Sequence, residues 1–272
     1  MPVNSQNMPP QNMQPRTIAI TGGSNGLGAA LARRYAAPGV TLGLIGRNAG
    51  RLEAVAAECR AKGANVACGI IDVTDAAGLA DWLKRFDAAH PIDLLVANAG
   101  VSAGIVGNDV AEGRDTVAKV IETNLIGAIN AVEPLLPAFE ARRRGQIALV
   151  ASIAGLRGLP YSPGYCASKA GLRSYGEALR PLLKPLGIHV GVICPGFFES
   201  DMSRRFGGSK PMMVTAERAA EIIAKGLAAG RGRIDFPLIM AWALKLADLL
   251  PAWLGDRMVS GYKGEVEEAE KS

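Results

Sequence analysis

Tyr165 and Lys169 stand four residues apart in SPGYCASKAG (162–171), on one face of the chain if the segment is helical. That pairing could move a proton. A phenol titrates near ~10 and exchanges protons poorly near neutrality; an ammonium group one turn away stabilises the phenolate and lowers that pKa. Ser152, closing LVAS (149–152), offers a hydroxyl that can hold a substrate oxygen beside the phenol. Any helix can carry a Tyr and a Lys one turn apart, so the pair gains meaning only from the elements that position it.

A second cluster suggests what such a phenol would work beside. TGGSNGLGAAL (21–31) directly follows the apolar run RTIAIT (16–21). Gly22, Gly26 and Gly28 allow a tight turn, close backbone approach to a diphosphate, and tight packing of a helix on a strand. A helix starting near Gly26 aims free amides and its positive dipole end at the phosphates. The spacing is Gly-x3-Gly-x-Gly rather than the GxGxxG fingerprint. The next strand ends in Gly46 and Arg47, with no acid before Glu53. A missing ribose-binding carboxylate and a cation in its place favour NADP(H) over NAD(H), although a solvated strand-end charge is the plainer account of Arg47 alone.

These residues must be placed by an alternating chain. Near-continuous apolar runs at 16–21, 40–46, 65–71, 92–98, 145–152, 188–194 and 232–236 read as strands covered on both faces. Helical patterns fall at about 26–37, 49–62, 76–88, 113–140, 164–184 and 215–229. The expectation is a single-domain, Rossmann-like α/β fold: a doubly wound parallel sheet of about seven strands with helices on both faces. Irregular segments at 101–112 and 197–214 follow strand C-termini, where such sheets bind ligands.

Bulk properties narrow the partners. The 272 residues are 49% apolar with a net charge of +5, and no basic cluster is dense enough to argue for nucleic acid. Cys59, Cys68, Cys166 and Cys194 lack metal-ligand spacing and only two histidines are present, so no metal site is expected. Residues 1–15 are polar, lack a signal-peptide pattern and read as a disordered tail; 16–236 read as the dinucleotide-binding catalytic domain. Residues 237–272 read as an apolar helical extension with a polar tail. Within 236–254, charges and Pro251 argue against a spanning helix, leaving the cleft, an oligomer interface or a lipid surface as its covering. The three arginines 142–144 end a helix, where they suit its dipole, and receive no other role.

Taken together, TGGSNGLG (21–28), DV (72–73), NAG (98–100), Asn124 in ETNLIG, Ser152, YCASK (165–169) and PG (195–196) stand in one order and spacing. The chain thereby resembles the short-chain dehydrogenase/reductase family from about residue 16 to 235. The resemblance implies hydride transfer between NADP(H) and a carbonyl or secondary alcohol, with Tyr165 as proton donor and acceptor. It further implies that Lys169 also binds the nicotinamide ribose and that Asn124 kinks its helix and anchors a water relay. Cofactor contacts follow at Gly22, Ser24, Asn25, Gly26, Leu27 and Gly28; at Arg47, Asp72 and Val73; at Asn98, Ala99 and Gly100; and at Pro195, Gly196, Phe198 and Ser200. Phe198 and Ser200 replace the usual aliphatic and threonine residues, and Asn25 stands where NADP-preferring members often carry a base. Family assembly implies a homo-oligomer, dimer or tetramer, through helices at 115–140 and 164–184.

The substrate should meet Leu156, Leu159 and Tyr161 of one loop and Phe197, Met202, Phe206, Met212 and Met213 of a lid, which suits a small-molecule, apolar substrate. Arg204 and Arg205 are expected on a solvated lid face. A cytoplasmic enzyme is expected, membrane-associated if 236–254 meets lipid. The rivals are a peripheral membrane reductase of lipid ketones and a non-catalytic NADP-binding scaffold or sensor.

Overall fold

Alternating Ile, Leu and Val side chains along the strands serve two cores at once. In the computed structural model, which describes residues 14–105, 111–205 and 207–260, Ile18 and Ile20 point into one core and Ala19 into the other. Leu94 and Val96 likewise part from Leu95 and Ala97. A strand buried on both faces needs this continuous apolar pattern, and each fully buried Leu or Ile contributes about 1.5–3 kcal/mol.

The strands are β1 (Thr17–Thr21), β2 (Thr41–Gly46), β3 (Asn65–Ile70), β4 (Leu94–Ala97), β5 (Gly145–Val150), β6 (Ile188–Pro195) and β7 (Arg233–Phe236). They form one parallel sheet in the order β3-β2-β1-β4-β5-β6-β7. The order reverses between β1 and β4, which opens a crevice at their C-terminal ends. Helices α1 (Gly26–Tyr35), α2 (Ala49–Ala61), α3 (Ala76–Ala89), α4 (Arg114–Ile121), α5 (Gly127–Val132), α6 (Leu136–Arg142) and α7 (Pro163–Leu183) follow in chain order. After β6 come the short α8 (Asp201–Arg204) and α9 (Ala216–Ala228); after β7 come α10 (Leu238–Leu249) and α11 (Ala252–Val259). Residues α1, α2 and α9 contribute to one core; α3, α5 and α7 contribute to the other.

Three expectations change. The single helix over 113–140 is instead interrupted. A π turn (Glu122–Ile126) closes with Gly127 N–H donating to Glu122 O, and a 3-10 turn (Glu133–Leu135) follows, where Pro134 and then Pro137 remove amide donors. The fifth strand stops at Val150, short of Ser152. The arginines after α6 do more than suit a dipole: Arg142 grips buried Asp87 at 2.6 and 2.9 Å, Arg144 pairs with Asp93 at 2.5 Å, and Arg143 donates to Pro185 O at 2.6 Å. Breaking a buried pair such as Arg142–Asp87 costs about 3–5 kcal/mol, because one charge stays buried alone.

The apolar stretch 236–254 becomes a helical hairpin broken at Pro251. Ala241 and Ala247 are buried, while Leu238, Ile239, Trp242, Leu246, Leu249 and Trp253 stay exposed. Of the tail expected at 1–15, residues 1–13 lie outside the described residues, as do residues 261–272 of the extension expected at 237–272.

Candidate active site

The crevice at the strand reversal is a cleft of about 580 Å³. Its first wall is the loop between β1 and α1. Gly22 adopts φ +67°, and a Cβ on Gly28 would lie 2.1 Å from the Gly22 carbonyl oxygen, so neither position admits a side chain. Thr21 Oγ1 accepts from the amides of Asn98 and Ala99 at 3.0 and 3.1 Å, while Asn98 Nδ2 donates to Thr21 O at 3.0 Å. These bonds fasten the glycine loop to the turn Asn98–Gly100. Asn25 caps α1, its Oδ1 accepting from Gly26 N at 2.7 Å. Ser24 sits beside Gly46, at the end of β2, and Leu27 is buried in the core.

At the outer end of the cleft, Arg47 lies 3.3 Å from Asp72 Oδ2, with its side chain 60% exposed. Asp72 Oδ1 accepts from Thr74 N and Oγ1 at 3.0 and 2.9 Å. Burial pushes the Asp72 pKa up, but the Thr74 bonds and Arg47 outweigh it and hold the carboxyl below its usual value. Val73 is buried, and Asn130 Nδ2 donates to its carbonyl at 2.9 Å.

The opposite wall carries the proton-transfer candidates. Ser152 extends past β5 and caps a 3-10 turn (Ile153–Gly155), accepting from Ala154 N at 3.1 Å. Pro163 opens α7, a place where its missing N–H is no loss, and Tyr165 and Lys169 then share one face. Ser152 faces the Tyr165 phenol and favours its charged form, while its Oγ lies 3.5 Å from Pro195 O. Lys169 Nζ donates to Val150 O at 2.9 Å and lies 5.8 Å from the Tyr165 ring centroid. Asn124 is fully buried in the π turn: Oδ1 accepts from Val101 N at 2.7 Å, and Nδ2 donates to Val101 O at 2.9 Å and Ser168 Oγ at 3.0 Å.

The electrostatics differ from the sequence expectation. Burial drives the Tyr165 pKa up to about 12 against the pull of Ser152, rather than Lys169 driving it down. Burial also takes Lys169 down to about 8. Desolvation penalises both charged forms and is the largest influence on each.

Beyond β6, Gly196 N donates to Phe236 O at 2.6 Å, and Phe198 bridges Val214. Ser200 caps α8 reciprocally with Ser203 at 3.0 Å. Sequence reasoning missed Asp201, which accepts from Asn25 Nδ2, pairs with Arg204 and lies 3.5 Å from Arg51. Arg204 is thus neutralised on an exposed face, whereas Arg205 lines the cleft. Of the expected substrate contacts, Leu159, Phe197 and Met202 line the cleft. Leu156 is buried in a small core, Met212 and Met213 are exposed away from the cleft, Tyr161 is absent from its wall, and Phe206 lies outside the described residues. Sequence reasoning placed the hairpin only as one of several coverings; Met240, Ala243, Leu244, Met258 and Val259 in fact complete the wall. Cys166 lines the cleft and Cys194 is buried, both as free thiols. Among the described residues no group could hold a metal ion, and no helix is long and apolar enough to cross a membrane.

Comparison with known proteins agrees with this geometry. Residues 16–210 match the family model for short chain dehydrogenases. The chain is 36% identical over 245 residues to an "uncharacterized oxidoreductase" of Myxococcus xanthus, covering 90% of this chain and 96% of that one. It is 32% identical to the ketoacyl reductase HetN of a Nostoc species, over 67% of this chain and 63% of the relative. A short-chain dehydrogenase from Sphingobium yanoikuyae, solved with NADPH, superposes with a TM-score of 0.76 at 25% identity, covering 94% of this chain and 99% of that chain. The chain is thus a member of the short-chain dehydrogenase family, an oxidoreductase acting on alcohol and carbonyl groups with a nicotinamide cofactor.

Proposed function

We propose that the protein interconverts a carbonyl group and a secondary alcohol on a small to medium apolar substrate, using NADP(H). One observation carries the reading: Ser152, Tyr165 and Lys169 face the same cleft as the glycine loop, and the hairpin side of that cleft is apolar. The loop suits a dinucleotide, since the lack of side chains at Gly22 and Gly28 lets it close tightly on Asn98 and Ala99 and brings the start of α1 up to the crevice. In this reading Gly22, Ser24, Asn25, Gly26, Leu27 and Gly28 hold the diphosphate. Asp72 and Val73 hold the adenine, Asn98, Ala99 and Gly100 its ribose, and Pro195, Gly196, Phe198 and Ser200 the nicotinamide side.

When bound, the reduced cofactor supplies a hydride to the carbonyl carbon. Tyr165 holds its proton at Oη, fully retained at neutral pH by a pKa of about 12, and gives it to the substrate oxygen. Ser152 Oγ holds that oxygen in place. Lys169, titrating at about 8, favours the phenolate left behind and can return a proton to it. Asn124 keeps the chain beside Lys169 in register and supports a water relay to it. Arg47 reads the ribose 2'-phosphate, supported by its exposure at the end of β2, the lack of an acid before Glu53, and the NADPH bound by the Sphingobium relative.

Residues 16–236 act as the catalytic domain and 237–272 as its extension, in a cytoplasmic homo-oligomer, dimer or tetramer; light scattering reads the subunit number. A screen of ketones and alcohols followed by NADPH absorbance tests the activity. Tyr165→Phe should lower kcat by about 10²–10⁴-fold with NADPH binding unchanged, and comparable turnover in that variant overturns the assignment.

A second reading, a peripheral membrane reductase of lipid ketones, is favoured by the outward face of the hairpin, with Trp242 66%, Trp253 72% and Leu249 82% exposed. Flotation with neutral phosphatidylcholine liposomes decides it. The full chain should float and the Trp242→Glu, Trp253→Glu double variant should not; a full chain that stays at the bottom removes the idea.

A further inference from the structure

The cleft's apolar end is built by a hairpin whose own attachment is narrow. α10 meets the Ser152 segment through a small cluster in which Ala151, Ile153 and Leu156 pack with Ala241, Met240 and Leu244. This contact, with Lys245 Nζ donating to Asp235 Oδ2 at 2.6 Å, holds the first turns of α10. Its last turn and all of α11 need a separate anchor, because the outward side chains there are exposed.

Arg157 supplies that anchor. It follows the 3-10 turn that Ser152 caps, and its side chain is only 14% exposed. Nη1 donates to Ala247 O at 3.2 Å and lies 3.5 Å from Asp248 Oδ1; Nη2 donates to Asp256 Oδ1 at 2.6 Å. One planar fork therefore grips the end of α10 and the middle of α11 together, which a point-charge ammonium could not do. The guanidinium also answers a carbonyl in the last turn of α10, where helix dipole and unpaired acceptors favour a cation. The grip is close. A Cβ on Gly255 would lie 2.9 Å from Arg157 Nη2 and 2.5 Å from Ala247 O, so the two helices and the arginine share one tightly filled corner.

We infer that Arg157 is a positioning residue that locks the C-terminal hairpin onto the Ser152 segment and thereby sets which apolar substrates the cleft accepts. Met240, Ala243 and Leu244 reach the cleft from α10, and Met258 and Val259 from α11. Arg157 fixes Met258 and Val259 relative to Ser152, and steadies the end of the helix that carries the other three, while touching none of the reacting atoms. A short substrate occupies the space beside Ser152 and Tyr165, whereas a long one must also lie along the hairpin. The inference rests on the proposed reduction of apolar carbonyls and deepens it by naming what enforces the fit.

The test compares butanone with undecanone in wild type, Arg157→Gln and Asp256→Asn, by kcat and KM, with undecanone affinity also measured calorimetrically without turnover. In Arg157→Gln, kcat/KM and affinity for undecanone should fall about tenfold through KM, with butanone turnover and NADPH affinity within about twofold of wild type. Asp256→Asn should shift the selectivity the same way by less. A wild type that prefers undecanone with Arg157→Gln equal to it overturns the inference and leaves the reductase reading standing. An equal loss for both ketones together with lost NADPH affinity assigns Arg157 to general stability and also overturns it. A wild type that neither binds nor reduces undecanone but does reduce other carbonyls overturns the apolar-substrate reading and this inference with it.

Discussion

Around the glycine loop the cleft is walled by backbone, whereas around the hairpin it is walled by the ends of Met and Leu side chains. Gly22 and Gly28 leave no volume for a Cβ, and Asn98 and Thr21 stitch the loop to the neighbouring turn. Met240, Leu244 and Met258 reach the cleft from helices joined to the rest of the fold by one small cluster, the Lys245–Asp235 pair and Arg157. The first wall is fixed by what cannot be added to it. The second can be repacked without disturbing the first, so cofactor binding and substrate choice should respond to separate substitutions.

The harshest test of that separation is Gly28→Ala. Its Cβ would meet the Gly22 carbonyl at 2.1 Å, which forces the backbone to move. We expect NADPH affinity to fall about 100-fold or more and stability by about 1–3 kcal/mol, read by fluorescence titration and thermal melting. Native-like affinity would show that the wall yields. Arg47→Asp should come next, shifting the NADPH-to-NADH affinity ratio toward NADH by about tenfold or more through loss of a charge-assisted contact. An unchanged ratio means Arg47 does not read the phosphate. On the other wall, Leu244→Ala should raise KM for a long ketone about threefold to tenfold and leave NADPH affinity alone. Coupled losses in both constants would erase the distinction.

The smallest expected effect sits where the walls meet. Lys169 titrates at about 8 in the folded protein and near 10.5 when unfolded. The unfolded chain therefore holds more protons between these values, and stability rises with pH across that window, falling as pH drops through 8. Thermal melts of wild type and Lys169→Met from pH 7 to 10 should show wild type gaining a few degrees relative to the variant. Parallel curves would mean that Lys169 is not held in a desolvating site.

Much of the frame was legible because parallel strands advertise themselves: Thr41–Gly46 and Asn65–Ile70 fall within the apolar runs that predict them. The glycine loop and Tyr165–Lys169 were legible for a related reason, since local geometry demands those residue types at those spacings. What escaped depended on partners distant in sequence. Arg142 meets Asp87 across 55 positions, Asp201 meets Asn25 across 176, and Arg157 meets Asp256 across 99. The Tyr165 pKa was misjudged because burial, invisible in a helical wheel, pushes it up. The break at 122–126 carries no proline or glycine signal of its own, so a kink at Asn124 was expected only from the family resemblance.

That turn has a mechanical consequence. Asn124 offers Val101 one acceptor and one donor, at 2.7 and 2.9 Å, as the backbone of an adjacent strand would. The chain beyond β4 thus gains a rung of ladder where no strand exists, and at Val101 the floor of the cleft is held by one carboxamide. An aspartate of the same size would keep the acceptor but set a buried negative charge against the Val101 carbonyl. The position therefore distinguishes two nearly isosteric side chains by the sign of one interaction.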